Sequence, residues 1–190
     1  MILKSEVIKL QTESQAKLPD SLEKMVCTQE DASLQSPGVV AHYYRFLYAL
    51  AKRMKPTVTV ELGTHTGISV ACLAEGCPLG TVYTVDNKNQ LNESFRRPGI
   101  KYLIQDSLVD LPVDKIDILF IDTLHNGQKA LEEYHGFKNK VADDGIILFD
   151  DVYLNTEMTK FWNSFVPEKG IKFDLDVHGN AGFGVVLMTA

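Results

Sequence analysis

Three aspartates close two apolar runs in this sequence. Asp122 ends IDILFID (116–122), and Asp150 and Asp151 end GIILFDD (145–151). If these runs are neighbouring parallel strands, the three carboxylates meet at one edge, where like charges raise one another's pKa. A divalent cation removes that cost, and a set of hard oxygen ligands suits Mg²⁺. In the competing reading, Asp150 or Asp151 caps the following helix and Asp122 alone has a functional role.

A second group of residues has the chemistry of a nucleoside pocket. Glu61-Leu-Gly-Thr-His-Thr-Gly67 leaves a β-branched run and enters a helical one. Gly63 permits a tight turn there, and Gly67 allows a ligand or backbone to approach closely. Asp86 closes the run TVYTVD (81–86) and can accept hydrogen bonds from both hydroxyls of a ribose. Asp106-Ser107 closes IKYLIQD (100–106), placed to bond an adenine amino group or simply to make a turn. A bound pyrophosphate would call for G-x-G-x-x-G. The spacing here is G-x-x-x-G preceded by an acid, which disfavours a nicotinamide dinucleotide.

The elements that must position these residues alternate. After polar segments with spaced apolar positions (3 to about 28), Ser36-Pro37 starts a helix running to about Lys55. The pattern then predicts strand 57–63, helix 67–76, strand 81–86 and a polar helical stretch 88–96. Strands 100–106 and 116–122, helix 126–141, strand 145–151 and a helix through Phe161 and Trp162 follow. Strands 171–177 and 183–189, joined by HGNAG, must be antiparallel. Short apolar strands alternating with helices imply a parallel sheet covered on both faces, with ligands at the carboxyl ends of its strands. Residues 107–115 leave no room for a crossover helix; extended, they reach about 30 Å, enough to span roughly 22 Å of sheet.

The hydrophobic fraction of 45% and charged fraction of 23% are those of a soluble globular chain, and 190 residues make one domain. A net charge of −6, with no run of Lys or Arg, disfavours a nucleic-acid partner. The longest apolar runs are strand-length, and Lys4, Glu6 and Lys9 interrupt any signal-peptide core. Three cysteines without metal spacing fit a reducing, cytoplasmic setting.

Taken together, these motifs resemble class I S-adenosylmethionine-dependent methyltransferases, over roughly residues 38–190. The resemblance implies a doubly wound α/β, Rossmann-like seven-stranded sheet of order 3-2-1-4-5-7-6 with its last strand antiparallel. It implies one methyltransferase domain, 1–190, with residues 1–37 a helical extension covering the cleft and supplying substrate contacts. S-adenosylmethionine would lie with its methionine end at Glu61, Gly63, Thr64 and Gly67, its ribose at Asp86, and its adenine at Asp106 and Ser107. FIDTLH and IILFDDVY are similar to metal-dependent O-methyltransferases of the catechol type, and more closely to the branch acting on sugars. Carried over, Asp122, Asp150 and Asp151 are the metal ligands. His125 stands where the catechol type has a Lys base, which makes it a catalytic candidate beside Asp122, near an unperturbed pKa of ~6.5. The acceptor is then a small hydroxyl compound, and a homodimer is common in such folds by analogy. Two alternatives stay open: a metal-independent enzyme using Asp122 or His125 as base, and a non-catalytic S-adenosylmethionine-binding module. His65, in the glycine loop, reads as a bystander. Phe161 and Trp162 read as packing, and His42, His135 and His178 have no assigned role.

Overall fold

Apolar alternation along the strands decides how this chain layers. The computed structural model describes residues 2–13, 18–28, 37–177 and 179–189. Strands β1 (Val58–Leu62), β2 (Thr81–Asp86), β3 (Ile100–Ile104), β4 (Ile116–Ile121), β5 (Val141–Asp150), β6 (Ile171–Leu175) and β7 (Phe183–Leu187) form one sheet. Their order is β3-β2-β1-β4-β5-β7-β6. β1 to β5 pair in parallel, and β7 runs antiparallel to both β5 and β6. This is the expected topology.

Successive side chains on a strand point to opposite faces. Ile118, Phe120, Ile146 and Leu148 therefore share one core with α3 (Pro37–Met54) and α4 (Ile68–Gly76). Leu119, Ile121, Ile147 and Phe149 enter the other, with α5 (Gly127–Phe137) and α6 (Thr156–Ser164). Two further helices, α1 (Lys4–Glu13) and α2 (Asp20–Thr28), lie on α3. Val7, Leu18 and Leu22 join the first core, while Arg53 pairs with Glu6 and Arg45 with Glu23. The described N-terminal helices thus buttress α3. Ser36, expected to cap α3, lies outside the described residues.

Two local expectations differ from the structure. Segment 88–96 is not an α-helix; it holds a single 3₁₀ turn, Glu93–Phe95. The Asn92 side chain accepts the Ser94 N–H at 3.0 Å, an alternative to helical bonding, and Pro98 disfavours helix in the residue before it. Strand β5 begins at Val141 rather than 145, because Ile116 pairs with Val141 before the register shifts at Ile118. The exposed acids Asp143 and Asp144 sit in that irregularity, which is why the apolar pattern starts the strand only at 145. Helix α5 ends at Phe137, and a 3₁₀ turn, Lys138–Lys140, completes the segment read as helix to 141.

Trp162 packs on the sheet because β7 carries glycine opposite it. A Cβ on Gly184 would lie 2.6 Å from the indole ring. The ring is 1% exposed, and its Nε1 donates to Asp174 Oδ1 at 2.6 Å, so packing is its role. Gly136 is the opposite case, an exposed glycine inside α5 with nothing closer than 4.0 Å to an added Cβ. Gly136→Ala is expected to stabilise the protein by about 0.5–1 kcal/mol through helix propensity alone. Urea denaturation checks this, and a loss of stability would mean the site is tighter than its geometry.

Candidate active site

The carboxyl ends of β1 to β5 border a cleft of about 480 Å³. Gly63, Asp86, Asp106, Ser107, Asp122, His125, Asp150 and Asp151 all line it. Glu61, Thr64 and Gly67 do not. Strand alternation explains Glu61: Val60 and Leu62 face the α5 side, so Glu61 turns to the α4 side and is fully buried. Its register partner Thr84 donates to Oε2 at 2.5 Å, and Thr64 Oγ1 lies 2.7 Å from Thr84 Oγ1. Oε1 is buried and makes no hydrogen bond of normal geometry among the described residues, although the Ser69 hydroxyl is close enough to favour the charged form. Gly67 has φ 92°, and the group closest to it is Leu91, whose Cδ1 would be 2.5 Å from an added Cβ.

Burial pushes the Glu61 carboxyl from 4.5 up to about 8, against the opposing pull of Ser69 and Thr84. An acid whose native pKa exceeds its unfolded one holds its proton more tightly when folded. Its stabilising contribution is complete below about pH 4.5 and is lost as pH rises through about 8. Glu61→Gln, neutral at every pH, is therefore expected to gain stability relative to the parent as pH climbs across that window, by a few kcal/mol in order of magnitude. Denaturation of both proteins at several pH values reads the difference; a gap independent of pH would refute it.

The nucleoside side of the cleft is held by backbone groups. Asp86 Oδ2 accepts the His65 N–H at 2.8 Å and Oδ1 the Lys88 N–H at 3.0 Å. Each oxygen keeps further acceptor capacity. Asp106 Oδ1 accepts the Leu108 N–H at 2.8 Å and Lys129 Nζ at 3.1 Å. Both groups hold its carboxyl below the usual range, the backbone bond most. The Ser107 hydroxyl donates to Glu133 Oε1 at 2.5 Å. Asp106 is thus both a turn former and a wall of the cleft.

The opposite side is an acidic cluster. Asp122, His125 and Asp150 each present a ligand atom, all within 4.8 Å of one another. His125 Nε2 also lies 2.9 Å from Asp151 Oδ2 and 3.4 Å from Asp122 Oδ1. These two carboxylates, Asp122 first, push the imidazole up from 6.5 to about 10, against burial. Asp150 is 6% exposed, and its Oδ1 has no hydrogen-bond partner among the described residues. Burial, then the charges of Asp122 and Asp151, raise its carboxyl well above the ordinary range. An orphaned buried carboxylate oxygen among acids and one imidazole fits a hard divalent cation. Two of the three expected acids, Asp122 and Asp150, gather with His125, while Asp151 reaches the group through its contact with His125.

The loops carrying these groups are conformationally unusual. His65, His125 and Asp151 take positive φ of 42°, 44° and 54°, a region where His, Asp and Asn are over-represented among non-glycine residues. Such backbone gathers at functional sites when its surroundings hold it there. Asn155, the N-cap of α6, does this for His125: its Nδ2 donates to the His125 carbonyl at 2.8 Å. Tyr43 of α3 reaches the cluster too, its hydroxyl donating to Asp122 Oδ2 at 3.3 Å. Burial holds the Tyr43 phenol well above its usual pKa, so it stays a donor. The sequence hides Tyr43 within an apolar helix stripe, and Asn155 is visible only as a cap.

Seven strands in this order, with acids at the ends of β1, β2 and β3 and β7 reversed, decide the architecture. This is a class I methyltransferase fold. Residues 60–152 match the family model described as a methyltransferase domain, spanning β1 to the end of β5 and hence both sides of the cleft. No curated protein matches the chain by sequence. Among solved structures, a methyltransferase from Podospora anserina bound to S-adenosylhomocysteine aligns with TM-score 0.74 and 15% identity over 100% of this chain and 98% of that one. An O-methyltransferase of tomaymycin synthesis from Streptomyces achromogenes, in complex with S-adenosylmethionine, aligns with TM-score 0.69 and 16% identity over 100% of both chains. A methyltransferase from Geobacter sulfurreducens aligns with TM-score 0.68 and 16% identity over 99% of this chain and 98% of that one. Tyr43 lies outside the matched methyltransferase segment, so α3 adds to the site from beyond it. No helix among the described residues of this methyltransferase fold is long and apolar enough to cross a membrane.

Proposed function

We propose that this chain is an S-adenosylmethionine-dependent methyltransferase that O-methylates a small hydroxyl compound (a sugar, phenol or natural product), assisted by a divalent metal such as Mg²⁺. The observation that carries it is the gathering of Asp122, His125 and Asp150 within 4.8 Å in the same cleft that Asp86 and Asp106 border. The matched methyltransferase domain and the donor-bound structural neighbours support the choice of methyl donor.

S-adenosylmethionine, when bound, supplies a methyl group on a sulfonium leaving group. Asp86 accepts from the ribose and Asp106 from the adenine, while the turn at Gly63 brings the chain close to the methionine end. Asp122, Asp150 and Asp151 would hold the metal, whose Lewis acidity favours ionisation of an acceptor hydroxyl. Asp122 and Asp151 hold His125 in its charged form in the metal-free cluster, so its imidazole would take the hydroxyl proton only once the metal draws those carboxylates off its ring. Tyr43 keeps Asp122 turned toward the cluster. The rest of the work is alignment, since oxygen and methyl must lie in line at about 3 Å.

Asp122, which lines the same cleft, suits a metal-independent base instead, and a chelator separates the two readings. Labelled methyl transfer to a panel of hydroxyl compounds is expected to fall at least tenfold in EDTA and to return with Mg²⁺. Turnover indifferent to EDTA would remove the metal. Binding of S-adenosylhomocysteine without turnover on any acceptor would leave a binding module.

A further inference from the structure

Helix α5 carries an acid where its pattern calls for a hydrophobe. Ala130, Tyr134 and Phe137 bury one face of it in the core, and Glu133 beside them is 0% exposed. Burying a carboxyl costs free energy unless hydrogen bonds satisfy it, and an apolar residue would fill the space at lower cost. Both oxygens of Glu133 are satisfied, each by a different loop. Oε1 accepts from Ser107 Oγ at 2.5 Å, and Oε2 from Thr123 Oγ1 at 2.9 Å.

Ser107 follows β3 and Thr123 follows β4, next to Asp122; both line the cleft. They belong to opposite sides of it, one beside Asp106 and the other beside the acidic cluster. One turn earlier on the same helix face, Lys129 bonds Asp106 at 3.1 Å. The helix that holds these contacts is itself anchored. Asn126 caps it by accepting the Lys129 N–H at 3.0 Å, and Asn126 Nδ2 donates to Glu157 of α6 at 3.0 Å.

We propose that Glu133 is a positioning residue that ties the loop after β3 to the loop after β4, so that filling the nucleoside side of the cleft orders the side holding Asp122 and His125. The assignment of the two sides rests on the function proposed above. A carboxyl bridging two hydroxyls gives the loops a shared rigid partner, and a ligand that orders one loop then lowers the entropy cost of ordering the other. Glu133 itself does not line the cleft and touches neither donor nor acceptor, whereas Ser107, at one end of the tie, borders the nucleoside side. Burial raises the carboxyl above its ordinary range while the two hydroxyls pull it down, consistent with a group held for its hydrogen bonds.

Hydrogen exchange of the full chain, with and without S-adenosylhomocysteine, tests this. In the parent protein the ligand is expected to slow exchange in both 105–110 and 122–126. In Glu133→Ala it is expected to slow 105–110 alone, with kcat reduced more than the donor KM. Glu133→Gln keeps two hydrogen bonds, one accepted and one donated, and is expected to restore coupled protection. Ser107→Ala cuts the tie at one end in a protein less prone to misfold, and is expected to lose protection at 122–126 as Glu133→Ala does. Protection at 122–126 surviving in both Glu133→Ala and Ser107→Ala overturns the proposal, as does failure of Glu133→Gln to restore it. If the parent binds no S-adenosylhomocysteine, the methyltransferase reading falls. The ligand-free comparison still decides the tie: Glu133→Ala must loosen both loops together, and loosening of one or neither overturns it.

Discussion

Asp150→Asn is expected to slow methyl transfer by orders of magnitude while making the metal-free protein more stable. Asp150 is 6% exposed at the carboxyl end of β5, with one oxygen unpartnered among the described residues and Asp122 and Asp151 nearby. A side chain selected for the fold alone would not be left so. Asparagine has the same shape, carries no charge and can donate to the neighbouring carboxylates. Its gain is roughly 1 kcal/mol, which for a chain of this size is about 2–4 °C in thermal midpoint. The expected loss is larger. On the proposed reading a metal ligand supports several kcal/mol of charge stabilisation, and at about 1.4 kcal/mol per decade turnover falls roughly 10²–10³-fold. Mg²⁺ should raise the midpoint of the parent and not that of the variant, while S-adenosylhomocysteine affinity stays within a few-fold. A variant that turns over normally, or that responds to Mg²⁺ as the parent does, sinks the metal assignment.

Gly63→Ala should be among the most disruptive single changes in the chain. Gly63 has φ 104°, and its N–H bonds the Val85 carbonyl at 2.8 Å. A Cβ there would lie 1.7 Å from the Asp122 carbonyl oxygen and 2.6 Å from its carbon. Neither is a flexible side-chain end. Both belong to the backbone between β4 and the His125 loop, itself fixed by the Asp122 N–H bonded to Leu62 at 2.8 Å. Backbone strain at positive φ costs about 1–3 kcal/mol, and forced overpacking about 1–3 more. The expected destabilisation is therefore roughly 4 kcal/mol, a large share of the ~5–15 kcal/mol by which domains are stable. Urea denaturation reads it directly. Any folded fraction should also bind S-adenosylhomocysteine more weakly and turn over poorly, because the turn and Asp122 move together. A stability change under 1 kcal/mol would show that the β1 and β4 loops separate freely.

Much of the sheet was legible before any coordinates. Asp122, Asp86 and Asp150 end apolar β-branched runs, and that pattern locates strand ends within a residue or two. The strand order came from the resemblance, which the fold bears out. Segment 88–96 misled because its polar spacing suits a helix, whereas Asn92 and Pro98 offer the backbone cheaper local bonds. The start of β5 was hidden for a related reason, since an irregular pairing tolerates exposed acids that a regular strand would not.

Residue type and spacing by themselves determined which groups are available: acids and a glycine turn at strand ends, an acid-rich pair of loops, and one histidine three residues beyond Asp122. These are local properties, set by alternation, turn chemistry and the cost of exposing apolar surface. Direction and partnership were decided only by the tertiary structure. It turned Glu61 away from the cleft to Thr84, brought Tyr43 from α3 to Asp122, set His125 against Asp151, and placed Glu133 between Ser107 and Thr123. Each of those contacts joins residues distant in sequence, and their energies depend on burial and on separations of a few ångströms, which only the packing of helices on a twisted sheet sets.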